Sequence, residues 1–305
     1  MDRLWKLVRG VGVWLLAVGL LAWVVVLAWP TLTEALARAD APWWLWAVGG
    51  LMVLGNLVLT GVLWWLIHLP LPAEPRLGCV RMTGLMAASG LLNMIPGPRL
   101  GLVGRSLYLK RVHGILLRDS SLIILCMVVA TAVVFPLAVL PLWLGGVLGG
   151  LGWGVILLLV AYPASRWVTY LHVPASFSGM YVVLVLRSLE VVVQALRLVV
   201  AGRLMGLEVD LRMGLALGVV GMLGRLVALT PNGLGITEAA MAAAGVWLKS
   251  LDASSAAALS LIDRAIETVV VMVVGGLSLI PLRTAWREAG GAERLAEETD
   301  TGPAA

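Results

Sequence analysis

Two charges stand at the same offset behind two proline–glycine breaks in an otherwise apolar chain. The first break runs from Asn93 through Pro96, Gly97, Pro98 and Gly101 to Arg105. The second runs through Pro231, Asn232, Gly233 and Gly235 to Glu238. With Pro98 aligned on Pro231, Arg105 falls on Glu238, each seven residues after its proline. A guanidinium there can bind an anionic group. A carboxylate there can bind a cation, a proton or a partner arginine. Glycines allow the tight turns and close backbone approach such a site needs. Broken apolar segments in matching places in two halves point to a transporter site near the midplane. The same residues also read as a structural Arg–Glu pair that ties the halves together.

A charged group at the centre of a membrane helix costs roughly 2.5–3.5 kcal/mol on the insertion scale, so such residues face a cavity or a partner. Arg187, Glu190, Gln194 and Arg197 are spaced by 3, 7 and 10 residues and share one helical face. They read as a polar path, or as two arginines snorkelling to opposite ends of their helix. Asp263, Arg264 and Glu267 lie in the last apolar run, and Arg225 precedes the second break by six residues. These predict a charge network around Glu238. Mutual neutralisation without ligand work is the plainer reading.

Other chemistry has no support. His68, His113 and His172 are scattered and form no metal spacing, and there is no nucleophile elbow or phosphate loop. The chain is therefore read as a non-enzyme without metal or cofactor. Cys79 and Cys126 sit in apolar contexts and read as unpaired.

The elements that must position these residues are membrane helices. Hydrophobic residues make up 61% of the chain and charged ones 13%, with a mean hydropathy of +1.00. Soluble domains are near half apolar and a quarter charged. The net charge of +5 reads as membrane topology signal and not as nucleic-acid binding. Runs long enough to cross a bilayer, roughly 17–25 residues, lie at Val11–Trp29, Trp43–Leu69, Ser120–Trp143, Gly145–Ala161, Met180–Gly202 and Ser255–Leu282. The first is too long for a signal-peptide core and reads as a retained span. Two shorter runs, Met82–Ile95 and Met213–Leu229, end at the breaks.

A shift of 133 residues lays the first half on the second, span on span and break on break. Loop arginines and lysines place the N-terminus inside. Keeping Lys110, Arg111 and Arg118 inside as well requires the first short run to dip in and return. The expectation is an all-α polytopic membrane protein. It has about six full spans and two re-entrant broken hairpins in two inverted-topology repeats, 1–143 and 144–284. Residues 285–305 read as a disordered cytosolic tail, and both termini as cytoplasmic.

With these residues in view, the chain resembles a known family. The segment from Asn93 to Arg105, followed by Leu109-Lys110-Arg111, looks like an Asn…Pro…Gly…Arg element. Pro231-Asn232-Gly233-Leu234-Gly235-Ile236-Thr237-Glu238 is similar to a Pro-Gly-Gly-Leu-Gly-x-x-Glu signature, with Asn232 where glycine is usual. Arg264 stands where the family places an arginine. The family is the flippase-like transmembrane region of lysylphosphatidylglycerol synthases. The resemblance implies movement of a lipid (phospholipid, hopanoid or isoprenoid-linked) between leaflets of a bacterial inner membrane. It also implies Asn93, Arg105, Glu238 and Arg264 as the core of the site, joined here by Arg225, Asn232 and Asp263. The synthases' soluble aminoacyl-transferase domain does not follow in this sequence. The alternative function is a non-transporting scaffold for a lipid- or glycan-modifying membrane enzyme. The oligomeric state is left open by the sequence.

Overall fold

A computed structural model describes residues 42–94, 100–125, 177–226, 233–249 and 251–300, with 127, 128, 131 and parts of 19–34. Among these, all regular structure is helical. The principal helices are α1 (Trp43–His68), α2 (Cys79–Leu92), α3 (Leu100–His113), α4 (Phe177–Leu204), α5 (Leu211–Leu226), α6 (Ile236–Trp247) and α7 (Ala253–Asp300). Pro96, Gly97, Pro98, Pro231, Asn232 and the expected fourth span lie outside the described residues, as does Cys126. Cys79 is a free thiol.

Among the described residues, two helices are long and apolar enough to cross a bilayer by themselves, Trp43–His68 and Ala253–Gly291. They coincide with the second and last of the expected spans. α4 coincides with the fifth and has 28 residues, but its polar stripe lowers its hydropathy. The helices beside the breaks are short: 14 residues in α2 and in α3, 16 in α5 and 12 in α6. At 1.5 Å per residue, α2 and α3 each rise about 21 Å, less than a bilayer core of about 30 Å. The helix pairs α2/α3 and α5/α6 are each packed together.

Local sequence explains where these elements start and stop. α1 ends ahead of Pro70, which lacks the N–H to extend the ladder. The turn into α6 holds Gly233 at φ 70° and Gly235 at φ 80°, left-handed geometry that suits glycine. α7 carries Pro281 in its interior and continues to Asp300. Residues 285–300, expected as a disordered tail, are thus helical, in line with the helix-forming Ala, Glu and Arg of that stretch.

Long α7 is the common partner, packing on α1, α2, α3, α4 and α6. One apolar cluster surrounds Leu63, Trp64, Met82, Leu109 and Val191; a second surrounds Leu198, Met241, Leu217 and Leu259. Val191 and Leu198 lie on α4, so the polar stripe of that helix runs from one cluster to the other.

Candidate functional site

The α4 stripe is the backbone of the site. Arg197 on α4 donates from Nε to Asp263 Oδ1 at 2.9 Å and from Nη2 to Asp263 Oδ2 at 3.0 Å. Its Nη2 also reaches Glu267 Oε2 at 2.8 Å. Gln194, one turn earlier, donates Nε2 to Asp263 Oδ2 at 3.1 Å. Arg225, in the last turn of α5, grips Glu267 from the other side through Nη1 and Nη2 at 2.9 and 2.8 Å. Parallel N–H···O bonds of this kind are the strong, geometrically specific form of an ion pair. Asp263 and Glu267, one turn apart on α7, are therefore shared between arginines from two other helices.

The opposite end of the stripe is anchored differently. Arg187 pairs with Glu190 and donates Nε and Nη2 to Thr131 Oγ1 at 3.1 and 2.7 Å. Thr60 on α1 donates its hydroxyl to Glu190 Oε1. The stripe thus links α1, α4, α5 and α7 by polar contacts where the helices would otherwise have only apolar packing.

Apart from Asp263 and Gln194, these groups line a cavity of about 340 Å³. That is within the roughly 300–1,000 Å³ of small-molecule sites. Arg187, Arg197 and Arg225 line it, against Glu190 and Glu267, with Asn56, Thr60, Asn93 and Thr131 as neutral polar groups. The arginines differ in what they can offer. The side chains of Arg187 and Arg225 are 16% and 23% exposed, whereas that of Arg197 is 2% exposed. Arg197 is a structural clamp, and the other two are partly exposed side chains of the cavity wall.

The residues after the breaks do not meet each other. Glu238 is fully buried at the start of α6. Its Oε2 accepts the Gly235 N–H at 2.6 Å, the reach-back bond of a helix N-terminus. Its Oε1 lies 3.0 Å from Arg264 Nε, a charge contact without an aligned N–H. Arg105 on α3 lies elsewhere, with its guanidinium 3.9 Å over the Trp64 ring and Nη1 donating to Met86 Sδ at 2.9 Å. It is 2% exposed, and its Nε and Nη2 have no hydrogen-bond partner. The sequence-based pairing of Arg105 with Glu238 is therefore corrected. Each takes a partner closer to its own helix, Arg264 for Glu238 and an aromatic face for Arg105. The charge network likewise centres on Arg197 and Glu267, with Glu238 and Arg264 at its margin.

Asn93 both lines the cavity and caps α3, its Oδ1 accepting the Gly101 N–H at 2.9 Å. Gly101 is pressed against α2 so tightly that a Cβ there would lie 2.0 Å from Ser89 O. Gly233 also borders the cavity, so both breaks reach it through their described ends. Sequence reasoning did not single out Thr60, Thr131, Trp64 or Met86. Threonines bonded along their own helices and apolar residues in apolar runs carry no pattern that marks them. Among the described residues no group of three His, Cys, Asp or Glu side chains is placed to hold a metal ion.

A family model also matches this chain over most of its length. The model described as lysylphosphatidylglycerol synthase TM region matches residues 14–275. The chain belongs to this family. The match includes every cavity-lining residue and every residue of the charge network, so the site lies within the part the family shares. Membership also makes this a membrane protein, in keeping with its two long apolar helices. Comparisons with curated proteins and with solved structures give no match.

Proposed function

We propose that this protein moves a lipid with an anionic or polar headgroup between membrane leaflets. The observation that carries the reading is the cavity wall, where three arginines face two carboxylates and two of those arginines reach the open space. A phosphate entering there would accept charge-assisted N–H bonds from Arg187 and Arg225. The neutral groups Asn56, Thr60 and Asn93 would take headgroup hydroxyls. The acyl chains would stay in the bilayer, so only the headgroup needs a polar route.

The proposed topology is that of two inverted repeats, with α2/α3 and α5/α6 as re-entrant hairpins from opposite faces. Their lengths support it, since the 14-residue arms of the first hairpin are too short to span. With the arginine-rich loops inside, both termini are cytoplasmic in a bacterial inner membrane. No catalytic role is proposed.

The test is reconstitution of purified protein into vesicles containing fluorescent phosphatidylglycerol, with dithionite quenching of the outer leaflet. Wild type is expected to make the inner-leaflet probe accessible, and Arg225→Gln and Arg187→Gln to abolish this while still inserting. Unaltered movement in both variants would sink the reading. A second reading, a scaffold for a membrane enzyme, draws on the extensive mutual pairing of the charges. Lipid movement by the purified protein alone excludes it.

A further inference from the structure

A second cavity, of about 770 Å³, lies at the His68 end of α1. Its walls include Trp65, His68, Leu71, Glu74, Arg76 and His113. Helix periodicity relates it to the central cavity. Thr60, Trp64 and His68 follow one another at four-residue steps on one face of α1. Thr60 lines the central cavity and His68 lines the second. The two are separated by eight residues of helix, about 12 Å. Trp64 stands midway, with its ring centroid 5.9 Å from that of His68 and 3.9 Å from the Arg105 guanidinium.

The other side of this partition is built from α2 and α3. Met86 and Gly90, one turn apart on α2, both line the central cavity, and so does Leu102 on α3. Arg105 lies one turn further along α3, behind Met86, and donates to its sulfur. Trp64 and Arg105 are 7% and 2% exposed, so packed side chains fill the space between the two cavities at this level. The barrier is made of unusual parts for a permanent wall. It holds a buried cation with two undirected N–H groups, and such groups cost free energy until a partner arrives. It also holds a methionine, the most adaptable of apolar side chains.

We propose that the second cavity is a vestibule for an anionic headgroup, and that Met86 with Trp64 forms the gate between it and the central cavity, over Arg105. This rests on the transport reading above and adds a route to it. An anionic group in the vestibule is drawn toward Arg105. Displacement of Met86 from the guanidinium then lets the free N–H groups take the anion and hand it to Arg187 and Arg225. Arg76, exposed at the vestibule wall, supplies the first attraction.

The experiment uses full-length protein with Cys79→Ser and Cys126→Ser, and does not depend on transport. Ala73→Cys, in the vestibule, defines which face of spheroplasts or inverted vesicles an impermeant methanethiosulfonate reagent reaches. Leu102→Cys, on the central cavity wall, is then labelled from that face. Labelling is expected to be slow with Met86, severalfold faster in Met86→Ala, and slow again in Met86→Leu, which keeps the bulk. Equal rates in all three overturn the gate. In the transport assay, a bulky maleimide on Ala73→Cys is expected to stop movement of fluorescent phosphatidylglycerol. The same label on Trp247→Cys, whose native side chain is exposed, is expected to leave it unchanged. Full labelling of Ala73→Cys with undiminished movement overturns the vestibule. Wild-type protein that moves no phosphatidylglycerol counts against the transport reading, and the Leu102→Cys rates decide the gate in that case.

Discussion

Arg197 holds Asp263 through two parallel bonds, at 2.9 and 3.0 Å, from a side chain that is only 2% exposed. Neither group can turn to solvent if the other is lost. Removing one partner of a buried ion pair costs about 3–5 kcal/mol, because the remaining charge is left without compensation. Here Glu267 still faces Arg197 at 2.8 Å, so Asp263→Ala is expected near the lower end of that range. The check is the thermal midpoint in detergent. Arg197→Met combined with Asp263→Leu should recover part of the loss, since an apolar pair needs no desolvation. A double variant no more stable than Asp263→Ala would show that the clamp has a role beyond charge balance.

Glu238 and Arg264 allow a more discriminating measurement. Glu238 has two tasks, accepting the Gly235 N–H and facing Arg264. Glutamine can still accept the backbone bond but cannot balance the guanidinium. Glu238→Gln should therefore destabilise the protein, and Arg264→Gln in the same chain should return part of the stability. A coupling of about 0.5–3 kcal/mol is expected for residues in one network. Strictly additive losses would show that the 3.0 Å contact contributes nothing.

What the sequence made legible was mainly one-dimensional. The spacing of Arg187, Glu190, Gln194 and Arg197 shows that they share a face, and all four are in the network or lining its cavity. The break before Glu238 was legible too, because Pro231, Gly233 and Gly235 interrupt an apolar run. Partner choice was not legible. Matching offsets in two halves put Arg105 and Glu238 in register along the chain. Registration does not bring two side chains together when each has a nearer partner. Arg105 meets Trp64 and Met86, which in an apolar sequence look like any other packing residues. The helical continuation to Asp300 was hidden by its charge, since acidic residues after the last span read equally well as a solvated helix or a tail.

Close helix contact gives a prediction for assembly. A Cβ at Gly275 on α7 would lie 2.7 Å from the carbonyl oxygen of Ala87 on α2, a backbone atom that cannot step aside. Small residues let membrane helices approach in this way. Gly275→Val should push α7 off α2 and distort the cavity wall at Met86 and Val271. Loss of monodispersity in size-exclusion chromatography is the expected outcome. Gly276, one residue on, has open space where a Cβ would be built, so Gly276→Ala should behave as wild type. Equal effects at the two positions would contradict this close contact of α7 with α2.

Asp252 provides the pH dependence. It precedes α7 and accepts the Ser254 hydroxyl and, at 3.2 Å, the Ser255 N–H. The Ser254 hydrogen bond is the largest influence holding its carboxyl below the ordinary 3.8, at about 2. The folded state thus favours the ionised form more than the unfolded state does. The sign follows: the contribution is complete above pH 3.8 and is lost as pH falls toward 2. Loss of such a cap costs about 1 kcal/mol. Asp252→Ala should therefore lower the thermal midpoint at pH 7, and the gap from wild type should narrow on acidification below pH 3.8. Asp252→Asn, which keeps an acceptor but cannot titrate, should lie between the two at pH 7 and show no narrowing from this site. A gap between wild type and Asp252→Ala that stays constant down to pH 2 would mean that the cap does not depend on the carboxylate's charge.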